Sequence, residues 1–129
     1  MEYTIKVDKN KEKLYVQRNG EIVEILACST GIGKPIHGFK GITPPGRYLV
    51  DDISLGRDMA RSLRKSHPEI KGNPYGPYVA GLVRKDGEEV LIGIHGTSEP
   101  ENLGTPVSAG CIRIANHNMR RLVENRIIT

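Results

Sequence analysis

Tryptophan is absent from this 129-residue chain, and Phe39 is its single phenylalanine. Proteins that hold single-stranded nucleic acid stack bases on aromatic side chains set among cations. No aromatic-interleaved basic stripe exists here, so nucleic acid is not an expected partner. Cysteine is equally scarce, with only Cys28 and Cys111. Two thiols make no disulfide scaffold. Cys28, in Glu24-Ile25-Leu26-Ala27-Cys28-Ser29, reads as a small core side chain, and Cys111 as a free thiol. Among Cys111, His37, His67, His95 and His117 there is no Cys-x-x-Cys and no His-x-x-x-His, so neither a metal nor another cofactor is expected. Long apolar runs are missing too. Ile22 to Cys28 and Val90 to Ile94 fall far short of the roughly 20 residues of a membrane span. Met1-Glu2-Tyr3-Thr4 has neither the basic nor the apolar region of a signal peptide, which leaves a cytosolic protein or one whose signal or anchor has been removed.

What the chain does contain is a folding composition: 37% apolar and 26% charged residues, with 15 glycines and 8 prolines to make turns. That describes one folded domain over residues 1–129. The net charge of +4 mainly serves solubility, although it also suits polyanionic surroundings.

Tyr3 to Val7 and Lys13 to Arg18 alternate with period two, the second placing Leu14 and Val16 on one face. Asn19-Gly20 is a hairpin turn, since both central positions require positive φ, and Glu21 to Ser29 returns. A three-stranded antiparallel meander is therefore expected. The glycine-rich stretch Thr30 to Gly41 lacks the Gly-Lys-Ser/Thr ending and the βαβ setting of a phosphate loop. Tyr48 to Ile53 reads as a strand. Between Gly56 and Asn73, Met59, Leu63 and more weakly Ala60 recur at helical spacing, predicting a short helix or irregular flap that Pro68 ends. Tyr78 to Arg84 and Glu89 to Ile94 form a further hairpin around Lys85-Asp86-Gly87-Glu88, leaving His95 at a strand end. Asn116 caps a helix whose Met119, Leu122 and Val123 face the core, and Arg126 to Thr129 reads as a closing strand.

The chemistry concentrates in Ile94-His95-Gly96-Thr97 and Pro106-Val107-Ser108-Ala109-Gly110-Cys111-Ile112-Arg113-Ile114, with His95 and Cys111 sixteen positions apart. A thiol is mostly protonated at neutral pH, so a nucleophilic cysteine needs a base, usually histidine. Gly110 permits a tight turn that presents the sulfur and aims the N–H groups of Gly110 and Cys111 at one point, as an oxyanion hole requires. Such a pair predicts a Cys111 that alkylates near pH 7 much faster than Cys28. Ser108 either holds this turn or caps it. Arg113 shares a face with Cys111, where it either binds a carboxylate or forms a structural bridge.

The string His95-Gly96-Thr97 … Ser108-Ala109-Gly110-Cys111-Ile112-Arg113 resembles the signature of the L,D-transpeptidases (YkuD-type), cysteine enzymes that cross-link bacterial peptidoglycan. Thr43-Pro44-Pro45-Gly46 and Asn73-Pro74-Tyr75-Gly76-Pro77-Tyr78 resemble further family segments, the second a wall of the active site. The resemblance implies a mainly β fold, a β-sandwich or mixed-sheet catalytic domain with one or two short helices. It implies Cys111 as nucleophile, His95 as base and acid, and a main-chain carbonyl, here that of Gly96, orienting the imidazole. Gly110 would supply an oxyanion N–H, and Arg113, Ser108, Thr97, Tyr78 and His37 would line the substrate. Many family members have a histidine where this chain has Ala109.

By the same resemblance the partners are peptidoglycan stem peptides, donor and acceptor, and the setting is the bacterial cell envelope, in wall biogenesis and cell shape. A stem-peptide amine as acceptor gives cross-linking, a D-amino acid gives exchange, and water would make an L,D-carboxypeptidase. Carbapenem sensitivity is expected. A non-catalytic peptidoglycan-binding module is the alternative that keeps the fold without the chemistry.

Overall fold

The computed structural model describes residues 2–88 and 90–129. Strands β1 (Tyr3–Asp8), β2 (Lys13–Arg18) and β3 (Glu21–Ala27) form the expected antiparallel meander. Asp8 Oδ1 accepts the N–H groups of Asn10 and Lys11 and closes the first turn. Asn19 and Gly20, at φ 53° and 82°, form the second. Leu14 and Val16 are wholly buried, as period-two alternation requires.

A second sheet runs in the order β4 (Tyr48–Leu55), β5 (Tyr78–Arg84), β6 (Gly93–His95), β7 (Ile112–Arg113). Its first three strands are antiparallel, while β7 pairs parallel to β6. Residues that follow β3 run along the free edge of β7, where Ser29 and Arg113 exchange both main-chain hydrogen bonds at 2.9 Å. The core lies between the sheets. Leu14, Val16 and Cys28 meet Ala80, Ile94, Ile112 and Ile114, with Met119, Leu122 and Ile128 closing it.

Helix α1 (Gly56–Ser66) follows β4 directly and stops before Pro68. Its buried residues are Gly56 and Ala60, whereas Met59 is 37% exposed. This reverses the weighting expected from hydrophobicity, and the reason is steric. A side chain at position 56 would strike the carbonyl of Gly76, so only the small i, i+4 face lets the helix approach. Helix α2 (Asn116–Glu124) buries Met119 and Leu122. Arg121 forks onto Glu24 of β3 at 2.9 and 2.6 Å, a partly exposed bridge worth at most about 1 kcal/mol.

Three expectations are corrected. Ala115, with no side-chain bond, stands at the N-cap of α2, because the Asn116 carboxamide turns toward Thr97 instead. The closing strand from Arg126 is absent. Arg126 takes φ 57°, and the N–H groups of Ile127 and Ile128 both return to the Leu122 carbonyl, so the tail terminates α2. The strand expected from Glu89 is confined to Gly93–His95; Glu89 itself and Met1 lie outside the described residues. No helix among the described residues is long and apolar enough to cross a membrane.

Candidate active site

His95 ends β6 with Val79 opposite on one side and Arg113 opposite on the other. Side chains alternate across a strand, so His95 and Arg113 share the sheet face turned away from the Ala80–Ile94–Ile112 core. Cys111, two residues before Arg113, falls on that face by the same alternation. Neighbouring strands lie about 4.8 Å apart and rise about 3.3 Å per residue, so two side chains one pleat apart on one face are within reach of each other.

Tyr75 packs against the histidine. Its ring meets the His95 imidazole edge-on at 4.8 Å between centroids. Its hydroxyl is held above the ordinary phenol range first by burial and then by the charge of Cys111. A main-chain bond of 2.8 Å from Gly96 N–H to the Tyr75 carbonyl fixes this segment against the end of β6. Sequence reasoning quoted Tyr75 but selected Tyr78, and that choice is corrected. Tyr78 stands on the opposite sheet face from Val79 and His95, and its hydroxyl donates to Glu124 at 2.9 Å. The signal that could have separated them is parity: Tyr78 is one residue from Val79, which pairs with His95.

His95 Nδ1 lies 2.5 Å from the Gly96 carbonyl oxygen. A carbonyl only accepts, so Nδ1 carries the proton and Nε2 is left as a lone-pair acceptor. His95 is 4% exposed. Burial pushes its pKa down to about 4, against the Gly96 contact, which raises it; the nearby Arg113 cation lowers it further. The imidazole is neutral at pH 7.

Cys111 departs from the expected low-pKa thiol. Burial raises it above the usual 9.0, and the Gly93 N–H and Arg113 only partly offset that. Desolvation outweighs a single dipole and the Arg113 charge, so at rest the thiol and the imidazole are both neutral. Cys28 is pushed up to about 12, again chiefly by burial.

The turn that presents Cys111 is held from inside and outside. Ser108 Oγ donates to the Cys111 carbonyl at 2.5 Å and accepts the Gly110 N–H at 3.0 Å. The Gly110 N–H, expected as an oxyanion donor, is thus already engaged, leaving the Cys111 N–H for that position. From outside, the glycine-rich stretch wraps the turn. Ile32 N–H donates to the Ser108 carbonyl at 2.8 Å, Gly41 N–H to that of Ala109 at 3.1 Å, and Thr43 Oγ1 to that of Gly110 at 2.6 Å. Gly110 has φ +136°, and a Cβ there would come within 2.9 Å of the Ile42 carbonyl oxygen, so glycine is required.

The remaining expected contacts divide. Arg113 is partly buried, with Nη1 3.9 Å from the Glu99 carboxylate. Ser108 and Thr97 are 1% and 2% exposed, so neither offers its hydroxyl to a ligand. Thr97 donates its N–H to Asn116 Oδ1 at 2.8 Å and accepts the Glu99 N–H at its hydroxyl. His37, at φ 51°, caps a tight reversal between Ile36 and Phe39, and its carbonyl contacts His67 Nε2. His67 is half-buried and stacks on Phe39 at 5.3 Å. Asn116, expected from the sequence only as a helix cap, and Thr43, quoted only within a family-like segment, hold the Gly96–Thr97 and Gly110–Cys111 peptides.

Comparison with known proteins converges on one family. The model of the L,D-transpeptidase catalytic domain, YkuD, matches residues 2–126. The YkuD protein of Bacillus licheniformis is 39% identical over 122 residues, covering 95% of this chain and 59% of that protein. The chain thus spans about three-fifths of that relative's length. An L,D-transpeptidase from Xylanimonas cellulosilytica superimposes with a TM-score of 0.68 at 20% identity, over 99% of this chain and 56% of that one. The catalytic domain of an E. faecium L,D-transpeptidase, solved as its ertapenem acyl form, gives 0.60 at 19% identity, over 96% and 90%. These two likenesses establish the shared fold.

Proposed function

The chain belongs to the L,D-transpeptidase catalytic-domain family, and from that membership we propose that it transfers peptidoglycan stem peptides through a thioester on Cys111. The observation that carries this reading is the 2.5 Å contact of His95 Nδ1 with the Gly96 carbonyl. It leaves Nε2 as a base on the face that Cys111 shares. A neutral pair fits general-base catalysis, in which the thiol loses its proton as it attacks and not before.

In the donor stem, Cys111 Sγ attacks the carbonyl carbon that precedes the terminal D-alanine, while His95 Nε2 takes the thiol proton. The carbonyl π pair moves onto oxygen and meets the Cys111 N–H. Collapse restores the carbonyl, breaks the C–N bond, and returns the proton from His95 to the departing D-alanine nitrogen. An acceptor amine then loses its proton to His95, attacks the thioester and releases the thiol. Arg113, beside both groups, is suited to a substrate carboxylate at the cost of its long contact with Glu99. Action on stem peptides implies the bacterial cell envelope as the place of work and wall cross-linking as the role.

Incubation with ertapenem followed by peptide mass mapping tests the reading. One covalent adduct on Cys111, absent from His95→Ala, is expected; an unmodified protein would overturn it. Digestion of disaccharide-tetrapeptide with and without free D-amino acid then identifies the acceptor. Tetrapeptide dimers or exchanged termini mark transfer, and tripeptide alone marks a carboxypeptidase.

A further inference from the structure

Thr43 has one hydroxyl proton and two partners, and the partners decide where the proton goes. The Gly31 N–H, 2.8 Å away, only donates, so Thr43 Oγ1 accepts there. Its proton is left for the Gly110 carbonyl oxygen at 2.6 Å. Thr43 is 5% exposed, which keeps water from competing for either bond. Its own carbonyl receives Lys9 Nζ at 2.6 Å, so its main chain is held as well.

A trans peptide is planar, with its C=O and N–H pointing in opposite directions. Whatever fixes the Gly110 carbonyl therefore also aims the N–H of Cys111. Gly110 cannot do this alone, because at φ +136° it has the conformational freedom of a residue without Cβ. Ser108 holds the peptides on either side, through Gly110 N–H and the Cys111 carbonyl, and leaves the Gly110–Cys111 peptide to Thr43. We propose that Thr43 is a positioning residue for the oxyanion donor: its hydroxyl locks the Gly110–Cys111 peptide so that the Cys111 N–H meets the oxygen on which charge develops during acylation. This rests on the acyl-transfer function proposed above.

The test compares two reactions of the same sulfur. Ertapenem acylation opens a lactam carbonyl and develops an oxyanion. Alkylation by iodoacetamide forms a C–S bond at an sp3 carbon as iodide leaves, and develops none. In Thr43→Val, and in Thr43→Ala made alongside it, the acylation rate constant is expected to fall about 10- to 10²-fold. Alkylation at pH 9 should stay within about twofold of wild type, and Thr43→Ser should restore acylation. A parallel fall in both reactions, an unchanged acylation rate, or loss of native circular dichroism in both variants would each overturn the inference. Wild-type protein that ertapenem does not acylate would sink the proposed function and this inference together, whereas the preceding outcomes sink only the role of Thr43.

Discussion

Asn116 Oδ1 accepts the N–H of Thr97 at 2.8 Å, and the carbonyl of that same peptide, belonging to Gly96, receives His95 Nδ1 at 2.5 Å. One carboxamide thereby sets the peptide that selects the imidazole tautomer. Gly76 and Gly96 are glycines because a Cβ at either would run into Asn116 Oδ1. Asn116→Ala should lower turnover about tenfold, as expected for a modest misplacement of a reacting group, while costing only about 1 kcal/mol of stability. Asn116→Asp keeps the acceptor and should recover most of the rate. Steady-state kinetics with denaturant melts on the three proteins checks this.

His95 makes stability fall on mild acidification. Its folded pKa is near 4, below the ordinary 6.5, because burial disfavours the cation. Between those values the unfolded chain binds a proton that the folded chain does not, so stability rises with pH across that window and is lost as pH falls from about 6.5 to 4. The full shift corresponds to about 3 kcal/mol. Urea melts from pH 4 to 7 should show this slope in wild type and a flatter one in His95→Gln.

Cys111→Ala should abolish turnover with a melting temperature close to wild type, since the substitution removes one sulfur from a half-buried position. The reagent-accessible thiol of wild type should alkylate slowly at pH 7 and faster with each unit of pH toward and beyond 9, following its raised pKa. Cys28, fully buried and pushed up to about 12, should stay unlabelled in the native protein. Mass-resolved iodoacetamide labelling across pH 7 to 10 measures both. Rapid labelling of Cys111 at pH 7 would contradict the neutral pair.

The two tyrosines should behave oppositely. Tyr75→Ala uncovers the His95 ring, so its pKa should climb back toward 6.5 and the acid limb of the pH–rate profile should move up with it. Tyr78→Phe removes only an exposed hydrogen bond to Glu124 and should leave the profile unmoved. A shifted profile in the Tyr78 variant, or none in the Tyr75 variant, would contradict the sheet-face assignment.

Period-two alternation made β1 and β2 legible, because their burial pattern is written in consecutive residues, and the turn at Lys85-Asp86-Gly87-Glu88 marked the end of β5. Asn19-Gly20 was legible for the same local reason. The end of the chain was not: Arg126 to Thr129 has a strand composition, yet a left-handed Arg126 folds it back onto α2. The face of α1 was misread because hydrophobicity pointed to Met59, while close approach to Gly76 demanded Gly56 and Ala60.

For the candidate site, local sequence marked the histidine and the cysteine, the glycine that turns the chain before the sulfur, and the strand that ends at the histidine, since each depends on neighbours a few residues away. Tertiary structure alone decided the protonation states and the locks. Whether Cys111 and His95 are charged depends on how much water folding strips from them. That Thr43 holds Gly110 across 67 positions, and Asn116 holds Thr97 across 19, depends on which segments the sheets bring side by side.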